Sequence, residues 1–329
     1  MDSASGKGDA VMSAAAFLGD PDLKQHVLDR VRRHVADKEV TPGAGFWDGQ
    51  RGCLGGVAVH DADATLFERE IGIPAGVLFI AERLWEVSYW FAPMHVPGFE
   101  SPISDDGRRL WQFPADWLDA IAPGACVGKV PGLFLVSTLR RAARVSDATQ
   151  ECSEASALLH EVTALHANCL AGESIDRATW KALRAGAARA ASAATNDIDR
   201  TLAEIAGIAA WQCTPNGSLT ADVLEADTKL SGATARRALA WTLSEEAQRV
   251  QLEQERVHLL TAEGEGRAEP TAARAALRAY DERVKAEQPE FLVRCDALRT
   301  EEARHKLARV FAAEAEFLLL LTAATLSRD

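Results

Sequence analysis

Cys53 is the residue of this chain whose setting most invites chemistry. It lies in the run Phe46-Trp47-Asp48-Gly49-Gln50-Arg51-Gly52-Cys53-Leu54-Gly55-Gly56-Val57-Ala58-Val59-His60-Asp61. A thiol becomes a nucleophile when a base, a cation or a helix N-terminus lowers its pKa. Arg51 and His60 are near in sequence, and Asp61 or Asp63 could orient the imidazole. In this reading Cys53 is the nucleophile, His60 the general base and Asp61 the orienting carboxylate. Geometry sets a condition. On one continuous helix Cys53 and His60 share a face but stand about 10 Å apart along the axis. A turn at Gly55-Gly56 would have to bring them together. The plainer reading makes Cys53 a small buried hydrophobe, with the glycines allowing close backbone packing.

Other motifs carry less. The glycines suggest a phosphate loop, but no Gly-Lys-Ser/Thr follows them. His160-Glu161 and His166 lack the four-residue spacing of zinc-binding helical histidines, although His166 and Cys169 share a face. The aromatics Trp85, Tyr89, Trp90 and Phe91 fall at helical spacing and read as core or interface before pocket. No metal site and no cofactor are expected.

These residues must be positioned by helices. Asp20-Pro21 is an N-cap followed by an N1 proline. The helix they open runs to about Asp37, with Leu23, Val27, Val31 and Val35 as its apolar stripe and Leu28 beside it. Thr41-Pro42-Gly43-Ala44-Gly45 breaks the chain. A short helix is expected over 64–71, stopped by Gly72. Pro74 opens a helix over 75–91 that is apolar on most sides and so belongs in the core. Residues 93–106 read as a loop, and Pro114 threatens to split the helix over 110–121. Another helix is expected from near Pro131. Residues 11–18 read as a short apolar helix. Long alanine-rich helices are expected over 148–171 and 175–213, mostly helical chain over 219–261, and further helices over 271–287 and 290–326.

Residues 17–137 resemble a group of bacterial proteins of uncharacterised function. The shared pattern reads Gly19-Asp20-Pro21-x-Leu23-Lys24, Arg30-Val31-x-x-His34, Gly52-Cys53-x-x-Gly56, His60 and Glu70-Ile71-Gly72-Ile73-Pro74. Many similar chains carry a second cysteine where this one has Val57, a departure that speaks against a two-cysteine redox or metal site. The resemblance implies a distinct N-terminal module and brings no activity with it.

Composition bounds the rest. The 329 residues can bury a large core without staples. A net charge of −12 repels phosphate backbones, so nucleic acid is not expected as a partner. The six scattered cysteines form no Cys-x-x-Cys pair and read as free thiols of a reducing cytoplasm. The polar start does not read as a signal peptide, and the apolar run at 317–321 is too short to span a bilayer. The expectation is therefore an all-α chain: 1–10 disordered, an N-terminal helical module over 11–146 and an alanine-rich helical bundle over 147–329. Its expected role is that of a cytoplasmic interaction or scaffold protein binding a protein partner or itself, with no membrane contact. The alternative is a thiol-dependent enzyme on Cys53, His60 and Asp61.

Overall fold

The computed structural model describes residues 15–43, 45–91, 108–149, 153–211, 217–264 and 270–326. The expectations for 1–10 and 93–106 fall outside these residues. The chain is all-α. Among the described residues it forms thirteen α-helices, and its only β pairing is two isolated bridges, Val40 with Gly52 and Trp47 with Gly52.

Helix α1 (Pro21–Ala36) starts as its sequence dictates: the Asp20 carboxylate accepts from the Asp22 N–H at 2.8 Å, and Pro21 occupies the first turn. Val27, Leu28 and Val31 are buried on its inner face. Then come α2 (Leu54–Val59) and α3 (Ala64–Ile71). Helix α3 is capped by Asp63 and closed by Gly72 at φ 71°. Helix α4 (Ala75–Phe91) is central, with Val77, Leu78, Ile80, Ala81, Leu84 and Trp85 all buried. Helix α5 (Arg108–Asp119) continues through Pro114 without a break, and Trp117 is fully buried. The chain then forms α6 (Val130–Thr149), α7 (Glu154–Leu170), α8 (Arg177–Ala193), α9 (Asp197–Ala209), α10 (Gly217–Ala238), α11 (Leu243–Gly264), α12 (Pro270–Glu287) and α13 (Pro289–Leu326).

Several expectations change. The described part of 11–18 is a 3-10 turn, Ala16–Gly19, in which Phe17 and Leu18 take left-handed backbone angles. Ala16 is pinned on both sides: its N–H donates to the Ala125 carbonyl, and its carbonyl accepts from the Gly124 N–H. The single helix expected over 175–213 is two, α8 and α9. Asn196 turns its carboxamide oxygen onto the Asp199 N–H at 2.8 Å and so starts a new helix instead of continuing the old one. The 148–171 helix is likewise two elements, with Ser153 capping α7.

The described helices form two compact units. One takes in the described residues of 1–95, 100–230 and 307–329, and the other those of 231–306. Residue 146, where a module boundary was expected, lies inside α6, and α7 to α9 belong with the N-terminal helices. The first unit's core gathers Phe17, Phe67, Trp85, Trp117, Phe134 and Phe317. In the second unit α11 and α12 are tied by the Tyr280 hydroxyl, which donates to the Leu252 carbonyl at 3.0 Å.

Candidate functional site

The described residues of 39–53 form a loop that leads into the short helix α2. The Gly52 N–H donates to the Glu39 carbonyl at 3.1 Å, and the Thr41 N–H donates to the Gly52 carbonyl at 2.8 Å. The glycines of α2 are there for space. A Cβ on Gly56 would stand 2.2 Å from the Phe46 carbonyl oxygen, and one on Gly55 would stand 2.7 Å from Leu78 Cδ2. At Gly56 only hydrogen lets the loop close on the helix, and at Gly55 any side chain would make Leu78 shift.

Cys53 is the N-cap of α2. Its Sγ accepts from the Gly56 N–H at 3.3 Å, and its own N–H donates to the Phe46 carbonyl at 3.0 Å. The residue is 3 % exposed. Beside it stands Glu82 of α4, also buried, whose Oε1 accepts from the Gly55 N–H at 3.2 Å. Burial, then the charge and hydrogen bonding of Glu82, push the thiol up to about 11. Burial likewise raises the Glu82 carboxyl above its ordinary value, against the hydrogen bonds from Cys53 and Gly55 that oppose the rise. A cavity of about 40 Å³ touches this pair and is lined also by Asp61 and Phe67.

His60 closes the other end of α2. Its backbone is left-handed at φ 58°, and its N–H donates to the Gly56 carbonyl at 2.7 Å. The ring is stacked on Trp47, centroids 4.7 Å apart and planes 10° from parallel. Its Nε2 lies 3.0 Å from Nε2 of His34 on α1. His34 is buried, and its Nδ1 stands 2.8 Å from Glu39 Oε2. Glu39 is held in turn by Gln50, whose carboxamide donates to Oε1 at 2.6 Å. The hydrogen bonds from Gln50 and His34 hold the Glu39 carboxyl below its ordinary range, so it is an anion at neutral pH. That fixes the tautomers: His34 donates Nδ1–H to Glu39, and when both rings are neutral its Nε2 accepts from the Nε2–H of His60. Partial desolvation, then the charges of Arg30, His34, Arg33 and His26, lower the pKa of His60.

The three residues expected to act together are therefore separated. Cys53 has its polar contacts with Gly56, Phe46 and Glu82, and His60 has its own with His34 and Trp47. Asp61 is exposed and its Oδ1 accepts from the Asp63 N–H at 2.9 Å, a local turn that orients no imidazole. The carboxylate that does orient one is Glu39. A thiolate needs a lowered pKa, and this thiol has a raised one, so the surroundings of Cys53 work against nucleophilic use. Sequence reasoning missed Glu39, Glu82 and the pairing of His34 with His60. The signal for the last was present, since His34 and His60 both stand in the pattern quoted above.

The remaining candidates are structural. His166 is fully buried, with Nε2 at 2.7 Å from the Ala209 carbonyl and its ring against Trp180. Trp85 packs against Tyr89 and Trp111 at centroid distances of 5.5 and 6.1 Å in the core; the side chains of Trp90 and Phe91 lie outside the described residues. Among the described residues no three His, Cys, Asp or Glu side chains are grouped to hold a metal ion, and no helix is long and apolar enough to cross a membrane. The chain matches no family model, no curated protein and no solved structure.

Proposed function

We propose that this chain is a helical interaction protein of the cytoplasm that receives an apolar helix, from a partner or from a second copy of itself, in a groove of its second unit. The observation that carries the reading is that groove. It has a volume of about 530 Å³ and is walled by α11, α12 and the first turns of α13. Its apolar lining includes Leu252, Val284, Leu292 and Val293, with Val293 69 % exposed on the lip. Around them stand charges of both signs, among them Arg256 and Asp281. An apolar floor with a charged rim suits an amphipathic helix, which buries one face and pairs its flanks. The buried cysteines Cys53 and Cys295 are free thiols, which fits a reducing compartment.

The test is light scattering on a sizing column across a concentration series, beside capture from lysate on the immobilised chain. The expected result is a specific complex or a concentration-dependent dimer, weakened about tenfold or more by Val293→Asp. A strict monomer that captures nothing, or a complex indifferent to Val293→Asp, sinks the reading.

A further inference from the structure

His60 offers one ring nitrogen to solvent and has the other wired to a carboxylate. Its Nδ1 has no partner among the described residues, and its Nε2 is 3.0 Å from His34 Nε2. Behind His34 the chain of contacts continues to Glu39 at 2.8 Å. Trp47, stacked on the ring, fixes its plane. From this geometry we infer that His60 is a phosphoryl-accepting nucleophile, with His34 and Glu39 as its positioning and proton-receiving pair.

The step balances. Nδ1 of neutral His60 attacks the phosphorus of a phosphoryl donor, a P–N(His60) bond forms, and the bond to the donor's leaving group breaks. The new charge on the ring is relieved when the Nε2 proton passes to Nε2 of His34. The resulting imidazolium is held by the Glu39 carboxylate, the same division of labour by which a buried acid supports a histidine base. The surroundings suit an anionic electrophile over a neutral one. Arg30, Arg33 and His26 of α1 act on His60 electrostatically, within a chain whose net charge is −12. The positive charge of Arg30 and Arg33 attracts a phosphoryl group, and partial desolvation together with these charges lowers the pKa of His60 and so favours the neutral ring, the form that attacks. His60 sits on open surface, so a donor can approach it without entering the molecule.

The experiment uses the full chain and phosphoramidate as the phosphoryl donor near neutral pH. Labelled peptides are mapped by mass, and acid lability identifies phosphohistidine. The expected result is one acid-labile phosphoryl group, on His60, formed about tenfold or more faster than on any of the other seven of the eight histidines. His60→Asn, which tolerates the left-handed backbone, abolishes it. Glu39→Gln, which keeps the shape of the site, slows labelling on the order of tenfold to a hundredfold and changes the pH at which the rate rises. A merely structural role for Glu39 would leave that pH profile unmoved. Labelling spread evenly over the histidines, labelling that spares His60, or Glu39→Gln reacting at the wild-type rate across the pH range overturns the proposal.

Discussion

The two ends of α2 belong to one helix of six residues and have opposite chemistry. At its start Cys53 faces inward onto Glu82, where burial and then Glu82 raise the pKa of the thiol and burial raises that of the carboxyl. At its end His60 faces outward onto Trp47 and His34, where partial desolvation and then neighbouring charges lower the pKa of the ring. A cysteine is the stronger nucleophile in water, yet here the imidazole is the available one. Reactivity follows the dielectric and the neighbours of a side chain more than its type. The helix can separate the two because Gly55 and Gly56 let α4 close on one side and the Phe46 carbonyl on the other.

That contrast can be broken at its hinge. Gly56→Ala places a Cβ 2.2 Å from a backbone oxygen that has no flexible end to yield. It should cost about 3 kcal/mol in urea unfolding and loosen both ends together. An unchanged midpoint would mean that the loop does not press on α2. Next in size is the thiol contrast. With its pKa pushed up to about 11 against an ordinary 9.0, Cys53 holds about a hundredfold less thiolate than a normal cysteine. Alkylation of Cys53 by iodoacetamide at neutral pH should be slower in the folded chain than in the urea-unfolded chain by that factor or more. Equal rates at Cys53 in the folded and unfolded chains would overturn the account of its surroundings.

The smallest effect is on the pH dependence of stability. Glu82 has a raised pKa in the folded state, so it binds its proton more tightly there than in the unfolded chain. Its favourable contribution is complete below the ordinary value of 4.5 and is lost as pH rises from there through the raised folded value. Glu82→Gln keeps an acceptor for the Gly55 N–H and removes the titration. The unfolding free energy of the variant should fall less steeply with pH above that ordinary value, by at most about 1.4 kcal/mol per pH unit. Identical slopes in the two proteins would show that Glu82 is not buried as described.

Much of the fold was legible in the sequence, because its signals are local. Asp20-Pro21 begins α1, Gly72 ends α3, and the nearly all-round apolar pattern of 75–91 marks α4 as central, each for reasons contained within a few turns of chain. Asn196 was a local signal too, but a cap competes with alanine-rich continuation on either side, and its propensity alone does not decide the contest. The residues of the candidate site were partly legible as types: Cys53 and His60 were singled out, and His34 stood only as one position of the shared pattern. Their partners were not. His60 meets His34 across 26 positions of sequence, and Gly55 meets Glu82 across 27. Those meetings depend on how α1 and α4 pack against α2 and on the left-handed turn at His60, and no spacing in one dimension encodes them. Helix type and helix ends follow from short-range sterics and capping. Which side chain faces water and which faces a buried carboxyl was decided only when the helices closed on one another.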